Sequence, residues 1–391
     1  MTQGSARLSP MALAAAGGVA FAYLAYLGWM LAMHRWVADA GGHLFATDFL
    51  SFWSAGHLAL SGHASTAYDW PAMHVLQQQL MGRDPGGYLG WAYPPLFFCV
   101  AIVLALMPYV ISCLVWIGLT LAIYAVMVAR IARDRGAALI ACAAPATLAC
   151  AMVGQNGFLS AALIAGVLLQ LEARPLLAGL LLGLLTYKPH LGLLFPIALM
   201  FGGYWRAFFA AVAATLGILV LSWAITPESL AAFAVHMGGM RENFLSQGTA
   251  GFYKQQSLYG LLRMLGAGDR TAFLCQGLLL LTIAAFVARL WRSPRSFPLK
   301  CAGLSVATLL ATPYLYFYDF PILAIAVGFL WRDHAFSRGE TALLVASQLV
   351  MAAFTAVNAP LGFAGAVIVL IVIWGRLTGH SFRAVPEPRP A

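Results

Sequence analysis

Residues 176–200 read LLAGLLLGLLTYKPHLGLLFPIALM, and this stretch decides the fold class. A run of about 20 mainly apolar residues is long enough to cross the hydrocarbon core of a bilayer. Similar runs recur along the whole chain, whose 391 residues are 62% hydrophobic and only 9% charged. Soluble domains are roughly 45–50% apolar and about 25% charged. The sequence therefore predicts an all-α polytopic membrane protein.

The apolar segments predict a bundle of about 12 transmembrane helices. In 94–131, Pro94, Pro95 and Pro108 bound a short piece that we interpret as a re-entrant half-helix, followed by one crossing from about 110 to 131. The apolar segments lie at about 10–33, 94–131, 137–153, 157–171, 175–187, 190–203, 207–225, 272–288, 297–313, 315–331, 340–357 and 360–375.

Most of the 22 Lys and Arg residues lie at one set of helix ends, which the positive-inside rule assigns to the cytoplasm. This orientation places two polar loops, 34–92 and 227–271, outside. We interpret residues 1–383 as a single transmembrane domain, and the Pro-rich tail 384–391 as disordered and cytoplasmic. The net charge of +9 comes from scattered basic residues at helix ends, which indicates membrane lipids and not nucleic acid as the partner.

Six polar motifs fall at the predicted outer helix ends or in the outer loops. Ionisable residues at membrane depth are costly and usually functional, so we expect these motifs to form one outward-facing site. They are Thr47-Asp48-Phe49, Tyr93-Pro94-Pro95, Gly154-Gln155-Asn156, Tyr187-Lys188-Pro189-His190, Lys254-Gln255-Gln256-Ser257 and Tyr318-Asp319.

Asp48 precedes an apolar pattern from Phe49 to Leu60 that is typical of an interfacial amphipathic helix. One interpretation is that Asp48 only caps this helix. The other is that Asp48 is a general base, since glycosyl transfer to a hydroxyl needs a group that takes the proton.

Lys188 ends an apolar run, with His190 beside it. It is either a lysine that reaches out to the membrane interface, or a cation that contacts a phosphate. Gln155 and Asn156 form either an ordinary turn or hydrogen bonds to a sugar or phosphate. Asp319, next to Tyr318, either pairs with Lys188 or Lys254 or binds a sugar.

Metal and cofactor motifs are not found in the sequence. The histidines of the first loop, His43, His57, His63 and His74, form no HExxH pair, and the chain has no DxD motif. The six cysteines lie in apolar stretches without metal-binding spacing. We therefore expect no metal, no cofactor and no disulfide framework.

In order and spacing, six stretches resemble glycosyltransferase family 87, which includes polyprenol-phosphate-mannose-dependent mannosyltransferases of the GT-C fold. The resemblance runs from about residue 44 to 331. Family members often carry a histidine near the position of Tyr318-Asp319 and some read Asn-x-Ser where this chain has Gln255-Gln256-Ser257. The stretches are TDFLSFWSAGHLALSGHASTAYD, WAYPPLFF, GQNGFLSAALIAG, LLAGLLLGLLTYKPHLGLLFPIAL, GFYKQQSLYGLLRML and TPYLYFYDF.

The resemblance implies an inverting glycosyltransferase of a bacterial inner membrane, with its active site on the periplasmic face. The implied donor is a polyprenyl-phosphate sugar, carrying a mannose-like hexose or a pentose, and the acceptor is a lipid or glycan. Asp48 would be the base and Lys188 would lie near the donor phosphate. The remaining donor contacts are expected from His190, Gln155, Asn156, Tyr93, Lys254, Gln256, Ser257, Tyr318 and Asp319.

Two other functions compete with this one. A transporter or flippase of lipid-linked sugars would usually show repeated halves with broken helices at mid-membrane, and the sequence shows no such halves. A structural subunit of an envelope assembly would not need six polar motifs, because packing alone does not require them.

Overall fold

The computed structural model describes residues 8–45, 47–85 and 89–379. In these ranges the regular elements are helices, and only two isolated β-bridges, Trp36 with Ala38 and Ala38 with Leu44, occur besides them. The prediction of an all-α protein is thus confirmed. The tail 384–391 and the terminal basic residues Arg7, Arg383 and Arg389 lie outside the described residues.

Nineteen α-helices are present in the described ranges. They are α1 (Pro10–Ala32), α2 (Asp48–Leu60), α3 (Trp70–Met81), α4 (Phe98–Ala105), α5 (Tyr109–Ala132), α6 (Gly136–Cys142), α7 (Pro145–Val153), α8 (Gly157–Gln170), α9 (Pro175–Leu184), α10 (Pro189–Gly192), α11 (Phe195–Gly202), α12 (Trp205–Ile225), α13 (Pro227–Met240), α14 (Leu258–Met264), α15 (Asp269–Arg292), α16 (Phe297–Ala311), α17 (Pro321–Asp333), α18 (Arg338–Ala352) and α19 (Leu361–Thr378). A π-helix covers Arg241–Ser246, and 3₁₀ turns cover Ala64–Tyr68, Pro95–Phe97, Leu185–Tyr187, Phe252–Lys254, Phe317–Asp319 and Ala353–Thr355.

Long apolar helices are fewer than the sequence predicts. Within the described ranges, five helices are long and apolar enough to cross a membrane, namely α1, α5, α12, α15 and α19. The pair α6 and α7, bent by 62°, makes a sixth if it is counted as one span. The structure is consistent with a polytopic membrane protein, but the count of about 12 crossings is not confirmed.

The number of long helices is smaller than predicted because several predicted crossings are short helices at the centre of the bundle. Helix α16 has 15 residues and α17 has 13, so each rises only about 20 Å, less than the hydrocarbon core of about 30 Å. Most of their residues are buried, and α16 packs against α15, α17 and α19. A nine-residue segment without α-helix, 312–320, connects α16 to α17.

Proline starts many of these elements. Proline is favoured at the first helical position, where its fixed φ suits the helix and its missing N–H would have no partner. The helices that begin on proline are α1, α7, α9, α10, α13 and α17.

The predicted segments near the N-terminus correspond to elements of the structure. The short apolar piece predicted after Pro94 and Pro95 is the turn Pro95–Phe97 with α4, and the predicted crossing from 110 to 131 is α5. The predicted apolar segment at 10–33 corresponds to α1.

Helix α2 differs from the predicted interfacial helix. Its residues from Phe49 to Phe52 and from Ser54 to Gly56 are buried, and the helix packs against α4. An ideal Cβ on Gly56 would lie 2.1 Å from the carbonyl oxygen of Ala101, so only glycine permits this approach. Helix α2 is therefore held inside the protein on several sides and does not rest on a surface by a single apolar face.

A second close approach brings α8 to the 312–320 segment. An ideal Cβ on Gly157 would lie 1.8 Å from the carbonyl oxygen of Tyr318. The glycine follows Gln155 and Asn156, and Tyr318 precedes Asp319, so two polar motifs distant in sequence become neighbours. The small size of Gly157 is thus what allows them to meet.

We expect Gly157→Ala to lower the thermal unfolding midpoint of the protein in detergent, because the added methyl group must displace backbone. Overpacking of this kind costs roughly 1–3 kcal/mol, and occasionally more. Gly118→Ala is the matched control, since a Cβ there would meet no atom within 4 Å. Equal midpoints for Gly157→Ala and wild type would contradict the close approach.

Candidate functional site

A cavity of about 740 Å³ lies where several helix ends and turns meet. Its wall is built from the start of α2, the segment before α4, the turn between α7 and α8, the break between α9 and α10, the turn Phe252–Lys254 and the segment 312–320. The structure brings eight of the predicted site residues to this wall: Asp48, Tyr93, Gln155, Lys188, His190, Lys254, Tyr318 and Asp319.

Asp48 is the first residue of α2, and the N-cap residue is Thr47. The interpretation of Asp48 as the helix cap is therefore wrong. Its Oδ2 atom instead accepts a hydrogen bond from Nε2 of Gln155 at 3.2 Å, across 107 residues of sequence. A carboxylate in the first turn also benefits from the positive end of the helix dipole.

The surroundings of Asp48 act on its acidity in opposite directions. Burial in the cavity wall disfavours the charged form and raises the pKa of Asp48 above its ordinary value, and this effect is the largest. The hydrogen bond from Gln155 and the positive charges of Lys254 and Lys188 lower the pKa, while the charge of Asp319 raises it. The net result is a raised pKa, and hence a carboxylate that accepts a proton more readily than an exposed one.

Lys188 and Asp319 form a buried ion pair. The Nζ atom of Lys188 lies 2.6 Å from Oδ1 of Asp319, and the two side chains are only 6% and 2% exposed. The other carboxylate oxygen of Asp319 accepts from the backbone N–H of Tyr316 at 3.2 Å. Of the two predicted partners of Asp319, the structure thus selects Lys188. The interpretation of Lys188 as a lysine that reaches the membrane interface is wrong.

The environment of Lys254 differs from that of Lys188. Its side chain is exposed, and its Nζ atom lies 5.9 Å from the centre of the Tyr253 ring. Within the described part of the chain, no carboxylate forms an ion pair with it. Lys254 is therefore a cavity cation whose charge remains available to a ligand.

Three predicted donor-binding residues do not line the cavity. Gln256 accepts from the Gly362 N–H at 2.7 Å and donates to the carbonyl oxygen of Tyr253 at 2.8 Å. Ser257 caps α14 and donates to the carbonyl oxygen of Pro313 at 3.1 Å. Both residues thus fix the turn that carries Lys254. Asn156 is fully buried, and its backbone N–H donates to Oε1 of Gln155 at 3.0 Å.

Part of the cavity wall was not predicted from the sequence. Helix α13 contributes Phe233 and Met237, and the connection between α18 and α19 contributes Phe354, Thr355 and Asn358. The apolar residues of α13 gave no signal, because they look like any other part of an amphipathic helix. Asn358 could have been found, because Asn-Ala-Pro interrupts an apolar segment much as Gln155 and Asn156 do.

Comparison with known proteins identifies the family. The model of glycosyltransferase family 87 matches residues 91–313, which is more than half of the chain. The matched region contains Tyr93, Gln155, Lys188 and Lys254, whereas Asp48 and Asp319 lie outside it. A search of the curated proteins and a search of the solved structures each gave no match.

The buried ion pair leads to a prediction about stability. Lys188→Met would leave Asp319 buried without its partner, which typically costs about 3–5 kcal/mol. We expect the double variant Lys188→Met/Asp319→Asn to be destabilised by clearly less than the sum of the two single variants. Denaturant or thermal unfolding of all four proteins in detergent measures this coupling. Additive losses would mean that the two side chains do not stabilise each other.

Proposed function

Because the chain belongs to glycosyltransferase family 87, a family of membrane glycosyltransferases, we propose that it moves a sugar from a polyprenyl-phosphate donor to a lipid or glycan acceptor. The observation that carries this proposal is a carboxylate, Asp48, that shares one cavity with two ammonium groups and, among the described residues, forms an ion pair with neither of them. The proposed sugar is a mannose-like hexose or a pentose.

In the proposed reaction, Asp48 acts as the general base. An acceptor hydroxyl attacks the anomeric carbon while the Asp48 carboxylate takes the hydroxyl proton. The bond from the anomeric carbon to the phosphate oxygen breaks, and its electron pair leaves with the polyprenyl phosphate. Attack from the face opposite the leaving group inverts the anomeric carbon. The phosphate leaves as an anion, so the reaction needs no acid to protonate it.

The leaving phosphate gains negative charge, and a fixed cation stabilises that charge most in the transition state. The charge of Lys188 is already matched by Asp319 at 2.6 Å, whereas that of Lys254 is open to the cavity. We therefore assign the first phosphate contact to Lys254. Lys188 and His190 lie in the same wall, where they would form the more deeply placed part of the donor site.

A lipid-linked donor suits the rest of the cavity. Apolar and aromatic side chains form much of its wall, including Phe233, Met237, Phe317 and Phe354. Tyrosines add further amphipathic surface, which is suited to a ligand with both a sugar and a hydrocarbon part. The polyprenyl carrier is proposed to enter this cavity from the bilayer.

We expect Asp48→Asn to reduce sugar transfer by about 10²–10⁴-fold, because the amide keeps the shape of the carboxylate but cannot accept the proton. The measurement is release of polyprenyl phosphate from a panel of polyprenyl-phosphate sugars by purified protein in nanodiscs. Asp84→Asn, an exposed carboxylate of the same loop, is the matched control. Near wild-type transfer by Asp48→Asn would reject the base assignment, and no transfer by any version would favour a flippase.

The site is proposed to face the periplasm of a bacterial inner membrane. Helix α17 starts beside Asp319 and ends at Asp333, about 20 Å away. At that far end Arg376 binds Glu340 at 2.6 Å and Asp333 at 3.3 Å, and other basic residues lie nearby in sequence. The positive-inside rule makes this the cytoplasmic end.

A thiol-labelling experiment tests this orientation. Ser61→Cys, an exposed position in the first loop, should react with a membrane-impermeant maleimide in intact cells, because this loop is predicted to lie outside. Ala335→Cys, exposed between α17 and α18, should react only after the membrane is disrupted. The wild type gives the background, since its cysteines lie in apolar helices. The reverse pattern would place the site in the cytoplasm.

A further inference from the structure

Asp48 is reached by a chain of hydrogen bonds that begins at a tyrosine. The Tyr93 hydroxyl donates to Oε1 of Gln155 at 3.1 Å, and Nε2 of Gln155 donates to Oδ2 of Asp48 at 3.2 Å. Tyr93 and Gln155 are 8% and 6% exposed, so water competes little for these bonds. The three residues come from three separate parts of the chain.

The orientation of the Gln155 amide is fixed by its partners. Its oxygen accepts two hydrogen bonds, from the Tyr93 hydroxyl and from the backbone N–H of Asn156 at 3.0 Å. A carboxylate only accepts, so the amide NH₂ group must face Asp48. A flipped amide would place its oxygen against the Asp48 carboxylate and its NH₂ group against the Asn156 N–H, so that only a bond to the Tyr93 hydroxyl could remain.

The turn that carries Gln155 is itself held in place. Gly154 has a φ of +66°, which favours glycine, and its carbonyl oxygen accepts from the indole N–H of Trp116 at 3.1 Å. The backbone carbonyl of Gln155 accepts from the thiol of Cys150 at 3.4 Å. These contacts fix the backbone from which the amide extends, so the position of the amide does not depend on a ligand.

We propose that Gln155 is a positioning residue for the reaction, and that Tyr93 sets its orientation. The amide holds Oδ2 of Asp48 and stabilises the ionised carboxylate. Within the described residues Oδ1 makes no hydrogen bond, and it is the oxygen left to receive the acceptor proton. This inference rests on the proposed role of Asp48 as base.

Other groups also influence the ionisation of Asp48, and the test must separate Gln155 from them. Lys254 and Lys188 favour the ionised form and Asp319 disfavours it. The titratable surroundings also include His190 of the cavity wall and four tyrosines from the surrounding elements. The tyrosines are Tyr93, Tyr109, Tyr316 and Tyr318. Substituting Gln155 changes none of these charges, so a shift can be attributed to the lost hydrogen bond.

The test is the pH profile of sugar transfer. Wild-type activity should fall as the pH drops through the raised pKa of Asp48, because the protonated carboxyl cannot take a proton. Gln155→Leu removes a donor to the ionised form, so the acidic limb should move to higher pH by about one unit. We expect kcat to fall about tenfold with little change in KM. Tyr93→Phe should move the limb in the same direction by less, because Asn156 still holds the amide.

Gln276→Leu is the control for a purely structural role. Gln276 is 3% exposed and hydrogen-bonds Tyr259 and Leu310 away from the cavity, so this variant should lower the unfolding midpoint without moving the acidic limb. If Gln155→Leu behaves like Gln276→Leu, the positioning role is rejected while the proposed function stands. If Asp48→Asn transfers sugar normally, the base assignment fails, and the role of Gln155 fails with it.

Discussion

The ion pair between Lys188 and Asp319 is the interaction on which the arrangement of the site depends. A charge inside an apolar bundle is expensive unless a partner of opposite sign lies beside it. Here the partner comes from a position 131 residues away in sequence. The pair therefore ties the break between α9 and α10 to the segment before α17. The close contact of Gly157 with Tyr318 adds the turn between α7 and α8 to the same junction.

The four charged groups of the cavity divide into two kinds. Lys188 and Asp319 neutralise each other at short range, so they shape the wall and leave little net field. Asp48 and Lys254 make no ion pair among the described residues, although the charge of Lys254 acts on Asp48. An unmatched carboxylate and an unmatched ammonium in one cavity suit the proposed reaction, in which the carboxylate takes a proton and the ammonium contacts the leaving phosphate.

Much of the secondary structure could be predicted because the length of an apolar run can be read from the local sequence. Helices α1 and α5 follow directly from their apolar runs, and the polar motifs stand out against an apolar background. The number of crossings could not be predicted in this way, because α16 and α17 are apolar through burial in protein and not through contact with lipid. The N-cap was misassigned by one residue, since Thr47 and Asp48 are both good caps by residue type and only the backbone conformation, extended at Thr47 and helical from Asp48, separates them.

The residues around the cavity could likewise be predicted only in part from the sequence. Lys188 and Asp319 could be singled out from the sequence because a charge beside an apolar run needs an explanation. Gln256 and Ser257 are equally polar, but they do not face the cavity. Their hydrogen bonds to Gly362 and Pro313 stabilise the turn at Lys254. Which of several polar groups faces a cavity depends on contacts between distant segments. For the same reason, the sequence did not indicate that apolar residues of α13 would form part of the cavity wall.

The shortness of α16 and α17 has a consequence for hydration. The segment 312–320 leaves peptide groups outside any α-helix within a membrane protein, and such backbone is tolerated only where protein or a water-filled space surrounds it. Tyr314, Tyr316 and Tyr318 of this segment line the cavity. Protein groups satisfy several of these peptide groups, since Ser257 donates to the Pro313 carbonyl oxygen and the Tyr316 N–H donates to Asp319. Water that enters the cavity would reach the remaining ones and also Asp48. In the proposed reaction, the same water would offer a route by which the proton taken from the acceptor returns to bulk solvent and leaves the carboxylate ready for the next turnover.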